Sequence, residues 1–138
     1  MVRGFADIQV GEEVPPITNL MTQEIINRYA QVTGDHNPIH VDPEFAKNTQ
    51  FGGTIAHGVI SVSYIFQALV NWLGTGTLRG TKMRVTFLNP VRPGDTVTAK
   101  GKVLDKRQEN GRGVAACELW IENQQQQRCI LIEADVAL

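Results

Sequence analysis

His57-Gly58-Val59-Ile60-Ser61-Val62-Ser63-Tyr64-Ile65-Phe66-Gln67-Ala68-Leu69-Val70-Asn71-Trp72-Leu73 is the stretch on which the fold turns. It contains no Asp, Glu, Lys or Arg, and its apolar residues are separated only by small or uncharged polar ones. A helix that is apolar nearly all round is a buried one. At ~1.5 Å per residue it runs about 24 Å. Ser61, Ser63 and Gln67 interrupt it, and it falls short of the ~20 apolar residues that a membrane-spanning helix needs. The expectation is a long helix enclosed by the rest of the chain.

What encloses it follows from the change of period after Gly74–Gly80. Lys82–Leu88, Thr96–Leu104, Val114–Glu122 and Arg128–Val136 alternate as strands do, for example at Val97, Ala99, Gly101 and Val103. Glu109-Asn110-Gly111 and Asn123–Gln127 read as hairpin connections, and Asn-Gly suits a turn with positive φ. Asn89-Pro90-Val91-Arg92-Pro93-Gly94-Asp95 reads as a turn. Towards the N-terminus, Phe5–Val14 alternates loosely and predicts a first strand, which Pro15-Pro16 should end. Thr22 can cap a helix carrying Ile25, Ile26, Tyr29, Ala30 and Val32, with Glu24 in its first turn and Gly34 as its C-terminal cap. Asp42-Pro43-Glu44 starts a second, short helix reaching about Asn48. The sequence therefore predicts one α+β domain over residues 1–138, with an antiparallel sheet of about five strands wrapped around a long central α-helix.

The totals exclude several functions. Thirteen basic against fourteen acidic residues, a formal net charge of −1 and no long run of either sign give no electrostatic footprint for nucleic acid. Cys117 and Cys129 are too few for a disulfide framework and read as buried thiols. The N-terminus from Met1 to Asp7 lacks an apolar signal core. A cytoplasmic protein with no membrane partner is expected.

The polar chemistry concentrates in Gly34-Asp35-His36-Asn37-Pro38-Ile39-His40-Val41-Asp42-Pro43. His36 and His40 have the spacing of a helical metal pair. Pro38 argues against it, because it disfavours helical geometry at Asn37 and lacks an N–H. No cysteine ligand stands nearby, and no metal is expected. Asp35 and His40 could instead point into one pocket and pass protons near neutral pH. Spacing alone favours the plainer reading, in which Asp35 caps the turn and His40 is a satisfied, semi-buried histidine. Asp42 reads as a helix cap.

Phe51-Gly52-Gly53-Thr54-Ile55-Ala56-His57-Gly58 leads into the long helix. An N–H at a helix start has no intrahelical partner and suits a developing oxyanion, and glycine lets a ligand approach closely. The alternative is that Gly58 only permits tight packing. His57 reads as a helix-start hydrogen-bonder more than a ligand contact. Trp72 and Trp120 read as core or interface. Lys82, Arg84, Arg92 and Arg128 could meet a phosphate, although scattered basic residues usually form solvated faces.

These two stretches together resemble the MaoC-like dehydratase family and its (R)-specific enoyl-CoA hydratases. Their motif runs roughly G-D-x-N-P-x-H-x-D, and Gly34, Asp35, Asn37, Pro38, His40 and Asp42 supply every fixed position. Phe87-Leu88-Asn89-Pro90-Val91-Arg92-Pro93-Gly94-Asp95 resembles that family's strand-turn segment, and the likeness runs from about Phe5 to Ala137. It implies a hot-dog fold with the long helix as the sausage. It also implies a homodimer or higher homo-oligomer, with sheets joined edge to edge and an acyl tunnel near the interface. The implied reaction is reversible syn addition of water to a trans-2-enoyl-CoA, giving (R)-3-hydroxyacyl-CoA.

By the same resemblance Asp35 and His40 are catalytic, with His40 favoured as base and Asp35 as relay. The Gly58 N–H binds the thioester oxygen, Asn37 fixes the turn, and His57 supports the site. Coenzyme A enters only as part of the substrate, and no other cofactor is implied. Phe51, Tyr64 and Phe66 are the large residues that could shorten the tunnel. Two other activities remain to be weighed, a 3-hydroxyacyl-ACP dehydratase and a hot-dog acyl-CoA thioesterase. The first favours a basic patch that the linear sequence does not show. The second typically lacks the paired turn. No second hot-dog repeat or fused domain is visible.

Overall fold

The alternating segments form five antiparallel strands in the computed structural model, which describes residues 3–138. Met1 and Val2, part of the N-terminal segment read above, lie outside the described residues. The strands are β1 (Glu13–Leu20), β2 (Lys82–Phe87), β3 (Thr96–Glu109), β4 (Arg112–Glu122) and β5 (Arg128–Ala137), in the spatial order β1-β3-β4-β5-β2. Val97, Ala99 and Val103 of β3, Leu119 and Ile121 of β4, and Ile130 and Ile132 of β5 make one buried face. The long helix α4 (Gly58–Leu73) contacts β1, β3, β4 and β5 and adds Ile60, Ile65, Leu69, Trp72 and Leu73 to the same core. Each such fully buried side chain contributes roughly 1.5–3 kcal/mol. This is the hot-dog arrangement.

Three expectations need correcting. The first strand is not Phe5–Val14: Phe5–Asp7 is a 3-10 turn, and β1 begins at Glu13 and runs through Pro15 and Pro16. The prolines are tolerated because β1 is an edge strand and its register slips between Val14 and Ile17, so the missing N–H groups leave no gap in the ladder. The long helix is not buried all round either. Val59 and Phe66 are 55% and 38% exposed, and Ser63 and Gln67 share the open side, because the single sheet covers only one side of α4. The third correction, at Pro38, concerns the site.

Elsewhere the local chemistry acts as read. Helix α1 (Gln23–Thr33) starts where Thr22 Oγ1 accepts the Ile25 N–H at 3.1 Å. It ends where Gly34, at φ 79°, donates its N–H to Ala30 O. Asn110 and Gly111 turn β3 into β4 at φ 52° and 77°. Strand β3 continues five residues beyond Leu104, past a register slip between Val103 and Asp105. Those residues are exposed, Lys106 partly, so no buried face imposed alternation on their sequence.

At the end of α4, Trp72 is buried and its indole N–H donates to Glu12 Oε2 at 3.0 Å. Arg3 donates to the same carboxylate at 2.6 Å. The Arg3 hydrogen bond comes first among the causes that pull the Glu12 carboxyl down to about 2, against the opposing effect of burial. Trp120, by contrast, is only partly buried and lies under the Arg128 guanidinium.

Candidate active site

Pro38 opens a helical turn where its missing N–H was expected to forbid one. Helix α2 (Pro38–Val41) carries Pro38 at its first position, where no intrahelical N–H is required. Asn37 stays extended at ψ 125°, as a residue before proline should, and its Oδ1 accepts the Ile39 N–H at 3.1 Å. His36 therefore lies before the helix. It is exposed and does not share a helical face with His40. Helix α3 (Pro43–Lys47) follows at once, with Asp42 Oδ1 accepting the N–H groups of Glu44 and Phe45.

The α2 turn is fastened to the segment that enters α4. Ile55 N–H donates to Ile39 O at 3.2 Å. His40 Nδ1 lies 2.7 Å from Ile55 O. A carbonyl only accepts, so Nδ1 carries the proton and His40 Nε2 keeps a lone pair free. Gln23 clamps both partners: its Nε2 donates to His40 O at 2.8 Å and its Oε1 accepts from Thr54 Oγ1 at 2.7 Å.

His57 is the link between the pieces. It is 3% exposed, precedes α4 as its N-cap, and its Nε2–H donates to Asp35 O at 3.0 Å. Its ring stacks on His40 with centroids 3.9 Å apart and planes at 30°, and Tyr29 tilts against its ring at 4.6 Å. Among the described residues the His57 Nδ1 lone pair has no partner. Asp35 is half exposed on the side chain, its Oδ1 accepts the Asn37 N–H at 3.3 Å, and its Oδ2 is 3.9 Å from His57 Nε2.

Donor atoms of Asp35, His40 and His57 lie within 4.8 Å of one another. A cation there would need two imidazole lone pairs to converge, whereas stacked rings hold theirs nearly side by side. One nitrogen of each ring is also committed to a backbone carbonyl. The set suits proton transfer better than metal ligation.

A cavity of about 360 Å³ opens beside His40. Gly58 and Ala56 line it at the helix entrance, Phe51 and Ile55 on one wall, and Phe87, Val91 and Ile130 on the other. Asp35 is not among its lining residues, and neither are Tyr64 and Phe66. The Gly58 N–H finds no acceptor among the described residues, as befits the first turn of a helix. A Cβ at position 58 would run into the Phe87 ring, so close packing and an open N–H are both true of this glycine.

A larger depression of about 700 Å³ lies on the sheet around Lys82, Arg84, Glu118, Glu133 and Asp135. Several of its charges are already paired, Arg84 with Glu133 and Arg107 with Asp135, and no histidine or helix start faces it. The smaller cavity is the candidate site. Gln23, Tyr29 and Phe87 belong to the site without having been expected from the sequence. Their contacts join segments up to about thirty residues apart, which no local spacing reveals.

A helix laid in an antiparallel sheet, with the His40 turn fastened to the segment that enters the helix, defines a hot-dog protein. Comparison with known proteins identifies the family. The sequence profile of the MaoC like domain matches residues 7–122, and the chain belongs to that family. It is 36% identical over 118 residues to a protein of Methylorubrum extorquens named 3-hydroxybutyryl-CoA dehydratase, covering 82% of this chain and 71% of that one. It is 35% identical over 96 residues to the (R)-specific enoyl-CoA hydratase of Rhodospirillum rubrum, covering 69% of this chain and 65% of the relative. Among solved structures, the R-hydratase PhaJ1 of Pseudomonas aeruginosa superposes with a TM-score of 0.82 at 29% identity, covering 96% of this chain and 83% of that one. Among the described residues no helix is long and apolar enough to cross a membrane.

Proposed function

We propose that this chain is a hydro-lyase that adds water reversibly across the 2,3 double bond of trans-2-enoyl-CoA, giving (R)-3-hydroxyacyl-CoA. The observation that carries the reading is the tautomer of His40. With Nδ1–H held by Ile55 O, Nε2 is the atom that can take a proton from water at the cavity wall. The names of the relatives, a 3-hydroxybutyryl-CoA dehydratase and an (R)-specific enoyl-CoA hydratase, support the same chemistry.

In the hydration direction, a water held between Asp35 and His40 gives its proton to His40 Nε2 while its oxygen bonds to C3. The C2–C3 π electrons move to form an enolate, whose negative charge rests on the thioester oxygen. The Gly58 N–H donates to that oxygen, and such a donor is typically worth ~3 kcal/mol of barrier. The imidazolium, with Asp35 as relay, returns the proton to C2. Both new bonds form on one face, because donor and acceptor stand together, so the addition is syn.

Asn37 holds the α2 turn through Ile39, and His57 holds the backbone of Asp35 and the ring of His40. Asp35→Asn and His40→Ala should each lower kcat for crotonyl-CoA hydration by about 10²–10⁴ with the circular dichroism spectrum unchanged. Near-wild-type rates in either variant would contradict these roles.

The partner we propose is a second copy. β2 is an edge strand, and Phe87 and Leu88 at its end are 58% and 48% exposed. Val59 and Phe66 on the open side of α4 are exposed as well. Unpaired strand groups and an apolar margin of this kind call for a matching edge, which a two-fold dimer supplies.

A further inference from the structure

The cavity that would hold an acyl chain is mostly apolar, lined by no cationic side chain and of modest size, so the charged end of a CoA thioester must be met outside it. No lysine or arginine is among its lining residues. Lys47 of α3 is paired with Glu44 at 2.9 Å, and Arg128, close to Ile130, donates to Glu118 and covers Trp120. Arg92 differs. It follows Val91 directly in the turn whose Asn89, Pro90 and Val91 line the cavity. Its Nη1 lies within 3.9 Å of the Cβ position of Gly53, between the cavity-lining Phe51 and Ile55. The residue is half-buried, and among the described residues its guanidinium has no carboxylate within salt-bridge distance and no hydrogen bond.

The backbone beneath it is fixed. Arg92 N–H donates to Asp95 Oδ2 at 2.9 Å, Asp95 N–H to Arg92 O, Gly94 N–H to Met21 O, and Ala56 N–H to Val91 O. Asp95 is three residues away, yet its oxygens serve the Arg92 backbone N–H and the Gln124 amide, leaving the guanidinium to another anion. A planar, always-charged fork on a rigid turn beside a ligand cavity is the arrangement that captures phosphate.

We infer that Arg92 binds a phosphate of the coenzyme A moiety at the cavity rim, a subsite for the nucleotide end of the thioester. The inference rests on the hydratase reading above. Its test compares crotonyl-CoA with crotonyl-pantetheine, which has the same reacting group and no phosphate, in wild type and Arg92→Gln. The expected result is a KM for crotonyl-CoA raised about tenfold with kcat little altered. The ratio of kcat/KM for CoA over pantetheine should fall by the same factor. An equal loss on both substrates would overturn the inference, because Arg92 would then shape the cavity instead of meeting phosphate, and so would no loss on either. Calorimetric binding of butyryl-CoA and butyryl-pantetheine keeps the test independent of turnover. If wild type hydrates neither crotonyl thioester, the hydratase reading fails. The phosphate subsite then stands or falls on whether Arg92→Gln weakens butyryl-CoA binding alone.

Discussion

At His40 the proton sits on Nδ1, facing Ile55 O, which leaves Nε2 as the one nitrogen able to receive another. Three carbonyls set the geometry around it: Ile55 O orients His40, His40 O is held by Gln23, and Asp35 O is held by His57. Gly58 is the other residue whose identity is dictated by its neighbours. Gly58→Ala places a methyl against the Phe87 ring, and overpacking of that kind should cost about 1–3 kcal/mol in chemical denaturation, with activity falling alongside. Because Phe87 is largely exposed, Phe87→Ala alone should cost far less. The double variant should recover most of the lost stability, so the two substitutions are strongly non-additive. Additive losses would show that the ring does not constrain position 58.

Residue-level reading found Asp35, His40, Asn37 and Gly58 as candidates because family-like spacing and glycine are visible in a string of letters. It could not find Gln23 or Tyr29. Gln23 carries no titratable group, Tyr29 reads as part of the α1 apolar face, and each reaches the site only after α1 folds back against the α2 turn. The same reading separated His40 from His57 in role, but not their stacking or tautomers, which arise from contacts fifteen to twenty-two residues apart.

Among the elements, caps and turns were the most legible parts: Thr22, Gly34, Asp42 and Asn110-Gly111 all act where local chemistry puts them. Pro15-Pro16 and Pro38 misled because the meaning of proline depends on position. At a strand edge beside a register slip, or at the first position of a helix, it breaks nothing. The strength of the α4 end was not readable either, since Arg3, Glu12 and Trp72 meet across the fold.

That cluster predicts a pH dependence. The Glu12 carboxyl titrates at about 2 in the folded chain against an ordinary 4.5. A depressed carboxylate stabilises the fold above the ordinary value, and the contribution is lost as pH falls from about 4.5 towards 2. Unfolding free energy should drop by roughly 2 kcal/mol across that window. Glu12→Gln should be less stable at pH 7 and show a flatter profile below pH 4.5. An unchanged acid limb in Glu12→Gln would contradict the ion pair's role.

Across the whole molecule, one layer of sheet covers one side of α4 and leaves Val59 and Phe66 in the open, while Phe87 and Leu88 are exposed at the end of the unpaired β2 edge. The all-round apolar composition of α4 pointed to complete burial, and the single chain does not provide it. A second copy would complete the burial, an arrangement that no single-chain pattern can specify. Sedimentation equilibrium should give twice the 15.2 kDa chain mass, and Phe66→Glu should return it towards the single-chain value. A monomeric wild type would remove the second copy from the account.

Both thiols belong to the closed interior. Burial pushes the Cys117 thiol up to about 12 and raises Cys129 as well. Neither is an exposed, low-pKa thiol of the reactive kind.

The central claim is addition of water, not cleavage of the thioester, by a pair acting on one face. Incubation of crotonyl-CoA with the protein in D2O, followed by stereochemical assignment of the product, tests it most directly. The predicted product is (R)-3-hydroxybutyryl-CoA with one deuterium at C2, delivered syn to the new hydroxyl. An (S) product, anti delivery of deuterium, or release of free coenzyme A thiol in place of hydration would contradict it.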